Sequence, residues 1–184
     1  MSTEESTFSG DWLALREPVD HRSRSAELVR ELGAWLGRRG AAKPMVVDLG
    51  AGSGSNFRYL SARLPQPVTW RLLDHDAALL AAVHGGRAPS GVTTRVCDLG
   101  ADALAGCVAG AAVVTASALL DLTSAHWIDA LCAACVRQGA ALLVALTIDG
   151  RVAFDPAEAL DGVVFSAVAR DQQRDKGLGI ALGA

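Results

Sequence analysis

The sequence predicts an α/β protein: a doubly wound, mostly parallel sheet with helices on both faces. Three observations carry this. The apolar run at 45–47 is too continuous for a half-exposed strand and reads as one buried on both faces, and 111–116 and 140–147 read as further strands. Segments whose apolar residues recur at helical spacing lie between them. Strands and helices taken in turn close into a parallel sheet with right-handed crossovers.

The elements follow in order. The first ten residues, MSTEESTFSG, are polar and acidic and read as a flexible tail, unlike a signal or transit peptide. Residues 11–43 form an N-terminal helical segment. In it Leu28, Val29, Leu32, Trp35 and Leu36 make one helical face that Gly40 ends. Pro44 precedes the first strand, which runs into Asp48. A helix then carries Phe57, Leu60 and Leu64 and stops at Pro65. A strand at 68–73 leads to Asp76, which caps a short helix bearing Leu79, Leu80 and Val83, closed by Gly85-Gly86. Strands at 92–96 and 111–116 come next. Ser124 caps a helix over 124–137 with Trp127, Ile128, Leu131, Cys132 and Cys135 on one stripe. The strand at 140–147 ends at an Asp149-Gly150 turn. Asp155-Pro156-Ala157-Glu158 then combines an N-cap, a proline at the first helical position and a capping-box glutamate. Leu160, Val163, Val164, Ala167 and Val168 supply the apolar stripe of that last helix, which Gly162 weakens slightly. Without a repeat or a linker the chain reads as one domain over 1–184, with a core at 44–148 and a C-terminal helix and charged segment at 149–184.

The bulk properties narrow the function. The 184 residues carry a net charge of −3, which gives no reason to expect a nucleic acid or an anionic membrane as partner. No apolar run approaches the roughly 18–20 residues that span a bilayer, and the expected compartment is the cytoplasm. The four cysteines, Cys97, Cys107, Cys132 and Cys135, do not suggest a disulfide framework in a chain this rich in core. Cys132 and Cys135 suit the buried helix stripe better than a metal or redox centre, because no second cysteine or histidine pair completes a site. No metal is expected.

The most specific stretch is MVVDLGAGSGSNFRYL, where a buried strand ends in Asp48 and Gly50, Gly52 and Gly54 follow. Such a loop lets a ligand approach the backbone closely. It is not a P-loop, since Gly54 is followed by Ser55-Asn56 and not by GK[ST]. It is not GxGxxG in either frame, because Ser55 or Phe57 stands where the third glycine belongs. An acid before the loop opposes a pyrophosphate and suits a cationic group. S-adenosylmethionine carries an ammonium and a sulfonium and has no phosphate.

In VVDLGAGSGSN the sequence resembles the class I S-adenosylmethionine-dependent methyltransferases, whose fold is Rossmann-like. Three further segments match in order. Trp70-Arg-Leu-Leu-Asp74-His75-Asp76 ends in an acid where the family grips both ribose hydroxyls, which a carboxylate accomplishes by accepting two hydrogen bonds. Val96-Cys97-Asp98-Leu99 falls where the family holds the adenine amino group. Val114-Thr-Ala-Ser117-Ala-Leu-Leu-Asp121 falls beside the methionine moiety and the transferred methyl. The resemblance covers about residues 44–148. GSGSN, LLDHD and TASALLDL look like an uncharacterised bacterial subgroup of small-molecule type, and so do the flanks, WLALREPVD at 12–20 and RDQQRDKG at 170–177.

The resemblance implies S-adenosyl-L-methionine as cofactor, held by Asp48, Gly50, Ala51, Gly52, Gly54, Asn56, Asp74, His75, Asp98, Leu99 and Ser117. Arg16 is added because the cofactor also carries a carboxylate that a guanidinium binds bidentately. Candidate acceptor contacts are Asp121, Arg170, Gln173, Arg174 and Lys176. Each has a plain alternative: Asp48 as a helix cap, Asp74 as a strand-end charge, Asp98 as turn chemistry, Arg16 as a surface arginine, and 170–176 as a solvated face. Asp76 reads as an N-cap, His126 as exposed, and His21 and His84 as without partners. No general base stands out, and methyl transfer from a sulfonium needs one only if the nucleophile must lose a proton. The acceptor is expected to be a small molecule or peptide. The rival reading is a non-catalytic, methyltransferase-like binding module, and a nicotinamide-dependent oxidoreductase is weaker. The family continues into a final antiparallel strand pair. Without it the fifth strand is an exposed edge, through which a homodimer is expected.

Overall fold

The computed structural model describes residues 9–64, 67–83, 89–147 and 153–176, side chains at 169 and 171–176 excepted. The expected stop at Pro65, the glycines 85–86, His84, the turn at 149–150, Gly177 and the side chains of Gln173, Arg174 and Lys176 lie outside the described residues.

Two helices, α1 (Gly10–Arg22) and α2 (Ala26–Arg39), precede a five-stranded sheet. The strands are β1 (Met45–Leu49), β2 (Thr69–Asp74), β3 (Val92–Val96), β4 (Val113–Ser117) and β5 (Ala141–Ala145). Their order is β3-β2-β1-β4-β5, and every pairing is parallel. Among the described residues no antiparallel strand joins them. The connecting helices are α3 (Ser55–Ser61), α4 (Ala77–Ala82), α5 (Leu104–Cys107) and α6 (Ala125–Gln138), and α7 (Asp161–Lys176) follows β5.

Alternating residues of the central strands feed two cores, as the period-2 pleat requires. Val47, Leu49, Val114 and Ala116 pack with Leu104, Trp127 and Leu131 from α5 and α6. Val46, Trp70, Leu72 and Val113 pack with Leu32, Leu36, Leu60 and Leu80 from α2, α3 and α4. The strands read as unbroken apolar runs because both of their faces are covered. The two edges differ from this. β3 buries only Val92, and β5 is half-buried along its whole length.

Several expectations shift. Leu28 is 52% exposed, so the face of α2 is narrower than its periodicity suggests. Cys132 is exposed and Ala134 takes its place beside Trp127, Leu131 and Cys135. At about 100° per residue, position 132 lies too far round α6 from that cluster to be covered. The last helix does not begin at Asp155. The Asp161 carboxylate accepts the Glu158 N–H at 2.8 Å, so a turn occupies the ground before the helix and the capping pattern is unused. Its stripe is also uncovered: Leu160, Val163, Val164 and Val168 are all exposed.

Candidate functional site

The order β3-β2-β1-β4-β5 reverses direction between β1 and β4, and ligands of open parallel sheets bind beyond the carboxyl ends at such a point. A cavity of about 510 Å³ lies there. Its wall takes Gly50 and Gly52 after β1, Asp74 at the end of β2 and His75 after it, Asp98 and Leu99 after β3, and Ser117 from β4. A smaller cavity of about 80 Å³ adjoins it, between Arg16, Asp20 and Arg24 on one side and Ala51, Asn56 and Ser117 on the other.

The loop is shaped by its glycines. Gly50, Gly52 and Gly54 all have positive φ, at 66°, 52° and 86°. A Cβ on Gly50 would stand 3.3 Å from the Leu119 methyls, and one on Gly54 would stand 3.0 Å from Val83 Cγ1. The backbone therefore takes a path closed to other residues. The Ala51 N–H bonds to the Leu73 carbonyl at 3.0 Å, tying the loop to β2.

Asp74 is 5% exposed and rims the large cavity. Its Oδ2 accepts the Gly52 N–H at 2.7 Å and its Oδ1 accepts the Asp76 N–H at 3.0 Å. Each oxygen keeps a lone pair for a further donor. Asp76 caps α4, accepting from the Ala78 and Leu79 N–H groups. His75 is exposed, its Nδ1 lying 3.2 Å from Asp74 Oδ1. Asp98 is exposed at the cavity rim and accepts the Gly100 N–H at 3.1 Å. The Trp127 indole donates to the Leu99 carbonyl at 2.5 Å and pins the segment after β3.

Asp48 departs from expectation by lining neither cavity. It is 1% exposed and faces α3, paired in register with Thr115 on β4. Asn56, in the first turn of α3, donates to Asp48 Oδ1 at 2.7 Å and to Thr115 Oγ1 at 3.1 Å. Asp48 Oδ2 is buried without a hydrogen-bond partner among the described residues. Burial pushes this carboxyl up to about 7, against the hydrogen bond from Asn56 and the nearby charge of Arg24.

Arg24 is the residue that sequence reasoning missed. Its Nη1 donates to Asn56 Oδ1 at 2.7 Å and its Nη2 to Ser117 Oγ at 2.8 Å, while the guanidinium stacks 5.0 Å from the Tyr59 ring centre. Nothing in the run HRSRS distinguishes it from Arg22. Burial lowers its pKa, opposed by the charges of Asp48 and Asp20. Arg16 lines both cavities but is engaged by Asp20, at 2.7 Å from Nε and 3.2 Å from Nη2.

Helix α1 lies over the loop through polar contacts. Arg58 bonds to Glu17 and to the Ser53 carbonyl, and the Arg58 hydrogen bond holds the Glu17 carboxyl below its usual range. His21, expected to have no partner, meets Ser55 O and Oγ at 3.2 Å each. Asp121 is half-buried and lines neither cavity, with its Oδ1 buried and unpartnered. Arg170 is exposed on α7 and likewise lines neither.

No protein-family model and no curated protein sequence matches the chain. Its fold does match solved structures. A phosphoethanolamine N-methyltransferase 2 of Haemonchus contortus, in complex with S-adenosyl-L-methionine, superposes with a TM-score of 0.56 at 14% identity, over 92% of this chain and 39% of that one. An O-methyltransferase family protein from Burkholderia thailandensis gives 0.52 at 20% identity, over 88% and 52%. Human N-acetylserotonin methyltransferase, in complex with the same cofactor, gives 0.52 at 14% identity, over 73% and 35%. The chain thus spans between about a third and a half of the length of these proteins. The fold is the Rossmann-like fold of the class I methyltransferases.

Proposed function

We propose that the chain is an S-adenosylmethionine-dependent methyltransferase acting on a small-molecule or peptide-type acceptor. One observation carries the reading: the ends of four successive strands, each singled out by a separate sequence segment, wall a single cavity at the switch point. The free lone pairs of Asp74 suit two vicinal ribose hydroxyls. Leu99, Leu119 and Trp127 offer an apolar slot for a purine, with Asp98 at its rim. In the smaller cavity the Arg16–Asp20 pair presents one charge of each sign to a group that itself carries a carboxylate and an ammonium. Asp48 acts through Asn56 as a positioning residue.

Bound in this cavity, the cofactor would supply a sulfonium methyl. The chain's part is to align the acceptor with it and to exclude water, from which much of the rate of a displacement arises. The wording of the strand-end loops supports a bacterial small-molecule subgroup. No helix among the described residues is long and apolar enough to cross a membrane.

The test is a calorimetric titration with S-adenosylhomocysteine, followed by a methyl-transfer screen on small acceptors. Saturable one-to-one binding at micromolar concentration is expected. A folded protein that takes up no heat of binding overturns the reading. Binding without turnover on any acceptor favours a non-catalytic module. β5 pairs only on its β4 side among the described residues, which supports a dimer formed at that edge. Sedimentation velocity should give twice the chain mass, and a monomer at high concentration removes this part of the proposal.

A further inference from the structure

Arg24 also borders a third cavity, of about 180 Å³, at the carboxyl end of β5. Leu28, Leu60, Leu143 and Leu146 give it an apolar lining, and Tyr59 forms part of its wall. Among the described residues that line it, Arg24 is the one charged side chain. Leu146 has φ at 58°, a strained value for a branched residue, at the point where β5 enters the cavity.

Among the described residues no carboxylate touches Arg24: Asp48 and Asp20 act on its charge from a distance, and the Tyr59 ring face lies against it. Its two described hydrogen bonds go to neutral acceptors, Asn56 Oδ1 and Ser117 Oγ. Its Nε is buried with no acceptor, and among the described residues no carboxylate stands within ion-pair distance of it. A guanidinium carries five N–H donors, so three are left. A half-buried guanidinium with unused donors still favours an anion in direct contact over carboxylates that act only through space. The cavity is also close to the cofactor cleft. Ser117 lines the cleft and pairs in register with Ala145, which lines this cavity, so the two lie one strand spacing apart, about 4.8 Å.

We propose that this third cavity is the acceptor subsite, and that it takes a small apolar carboxylate whose charge is met by Arg24 and whose body lies on Leu28, Leu60 and Leu143. The proposal rests on the methyltransferase reading for the word acceptor, and on the cavity alone for the carboxylate. Its apolar part is held by burial, and its charge by the free donors of the guanidinium.

The experiment uses the full chain and phenylacetate as probe, with phenylacetamide as its uncharged analogue. Amide shifts in nitrogen-15 spectra are followed during titration. Phenylacetate should saturate, shifting Ser25, Leu28 and Leu146, and phenylacetamide should bind at least ten-fold more weakly. Leu28→Trp, at a half-exposed position outside the cofactor cleft, should fill the cavity and abolish the phenylacetate shifts while S-adenosylhomocysteine binds as before. Equal binding of the amide, shifts centred on the glycine loop, or shifts that persist in Leu28→Trp overturn the proposal. Phenylacetate binding in a chain that takes no S-adenosylhomocysteine keeps the carboxylate site and removes the methyltransferase reading.

Discussion

Asp74→Asn is expected to weaken S-adenosylhomocysteine binding by about 10- to 100-fold, measured by calorimetry at neutral pH. In the native chain both carboxylate oxygens accept backbone N–H groups, from Gly52 and from Asp76. An asparagine has one oxygen, so in either orientation its NH₂ is set against one of those N–H groups. The fold loses a hydrogen bond at the glycine loop, and the ligand loses a charged acceptor for one ribose hydroxyl. A hydrogen bond to a charged group contributes about 1.5–3 kcal/mol, about 10- to 100-fold in affinity, while the orphaned donor, at about 1–3 kcal/mol, lowers the stability of the fold itself. Asp74→Ala removes the repulsion but leaves both N–H groups bare, and should bind as poorly. Native-like affinity in the asparagine variant, with an unchanged thermal transition, would mean that no ribose sits at this rim.

Asp48→Asn should have the opposite effect on stability, and only at high pH. Burial raises the Asp48 carboxyl to about 7, whereas in the unfolded chain it titrates at about 3.9. The folded form therefore binds this proton more tightly. The stability it contributes is complete below about pH 4 and is lost as the pH climbs toward 7. Three pH units at about 1.4 kcal/mol each make this an effect of up to about 4 kcal/mol. Asparagine imitates the protonated acid and still offers an oxygen to the Asn56 side chain. Urea unfolding at pH 8 should show the variant more stable than the native chain, and at pH 4.5 the two should nearly coincide. An equal difference at both values would show that the carboxyl does not titrate within the fold. Weaker S-adenosylhomocysteine binding in the more stable variant would mean that the charge itself serves the ligand.

The elements legible in the sequence are those whose physics is local. Val46 and Val47 announce a strand covered on both faces, because no polar residue interrupts them. Gly50, Gly52 and Gly54 announce a loop of positive φ, because other side chains resist that path. Asp76 and Ser124 announce helix starts, and both side chains accept the expected N–H groups. The illegible features depend on partners far along the chain. Arg24 gains its place from Asn56 and Ser117, 32 and 93 residues away. His21 gains its contact from Ser55, 34 residues away. Asp48 is legible as an acid at a strand end, but its direction is set by the pleat, which turns it toward α3 and away from the cavity. The capping pattern at 155–158 misleads because Asp161 competes for the Glu158 N–H, and a propensity read from four residues does not see that rival.

Helix α1 has no fully buried residue, and ion pairs, hydrogen bonds and the contact of the His21 ring with Tyr59 fasten it over the glycine loop. Attachments of this kind contribute little each and are screened by salt. Amide hydrogen exchange should therefore find α1 opening at a lower free energy than the sheet, and equal protection of the two would refute this. Leu13 and Arg16 of this helix line the cleft, so such an opening would also set access to it. High salt, which screens the Glu17–Arg58 pair, is therefore expected to shorten the residence time of a ligand while the melting temperature, set by the two apolar cores, moves little.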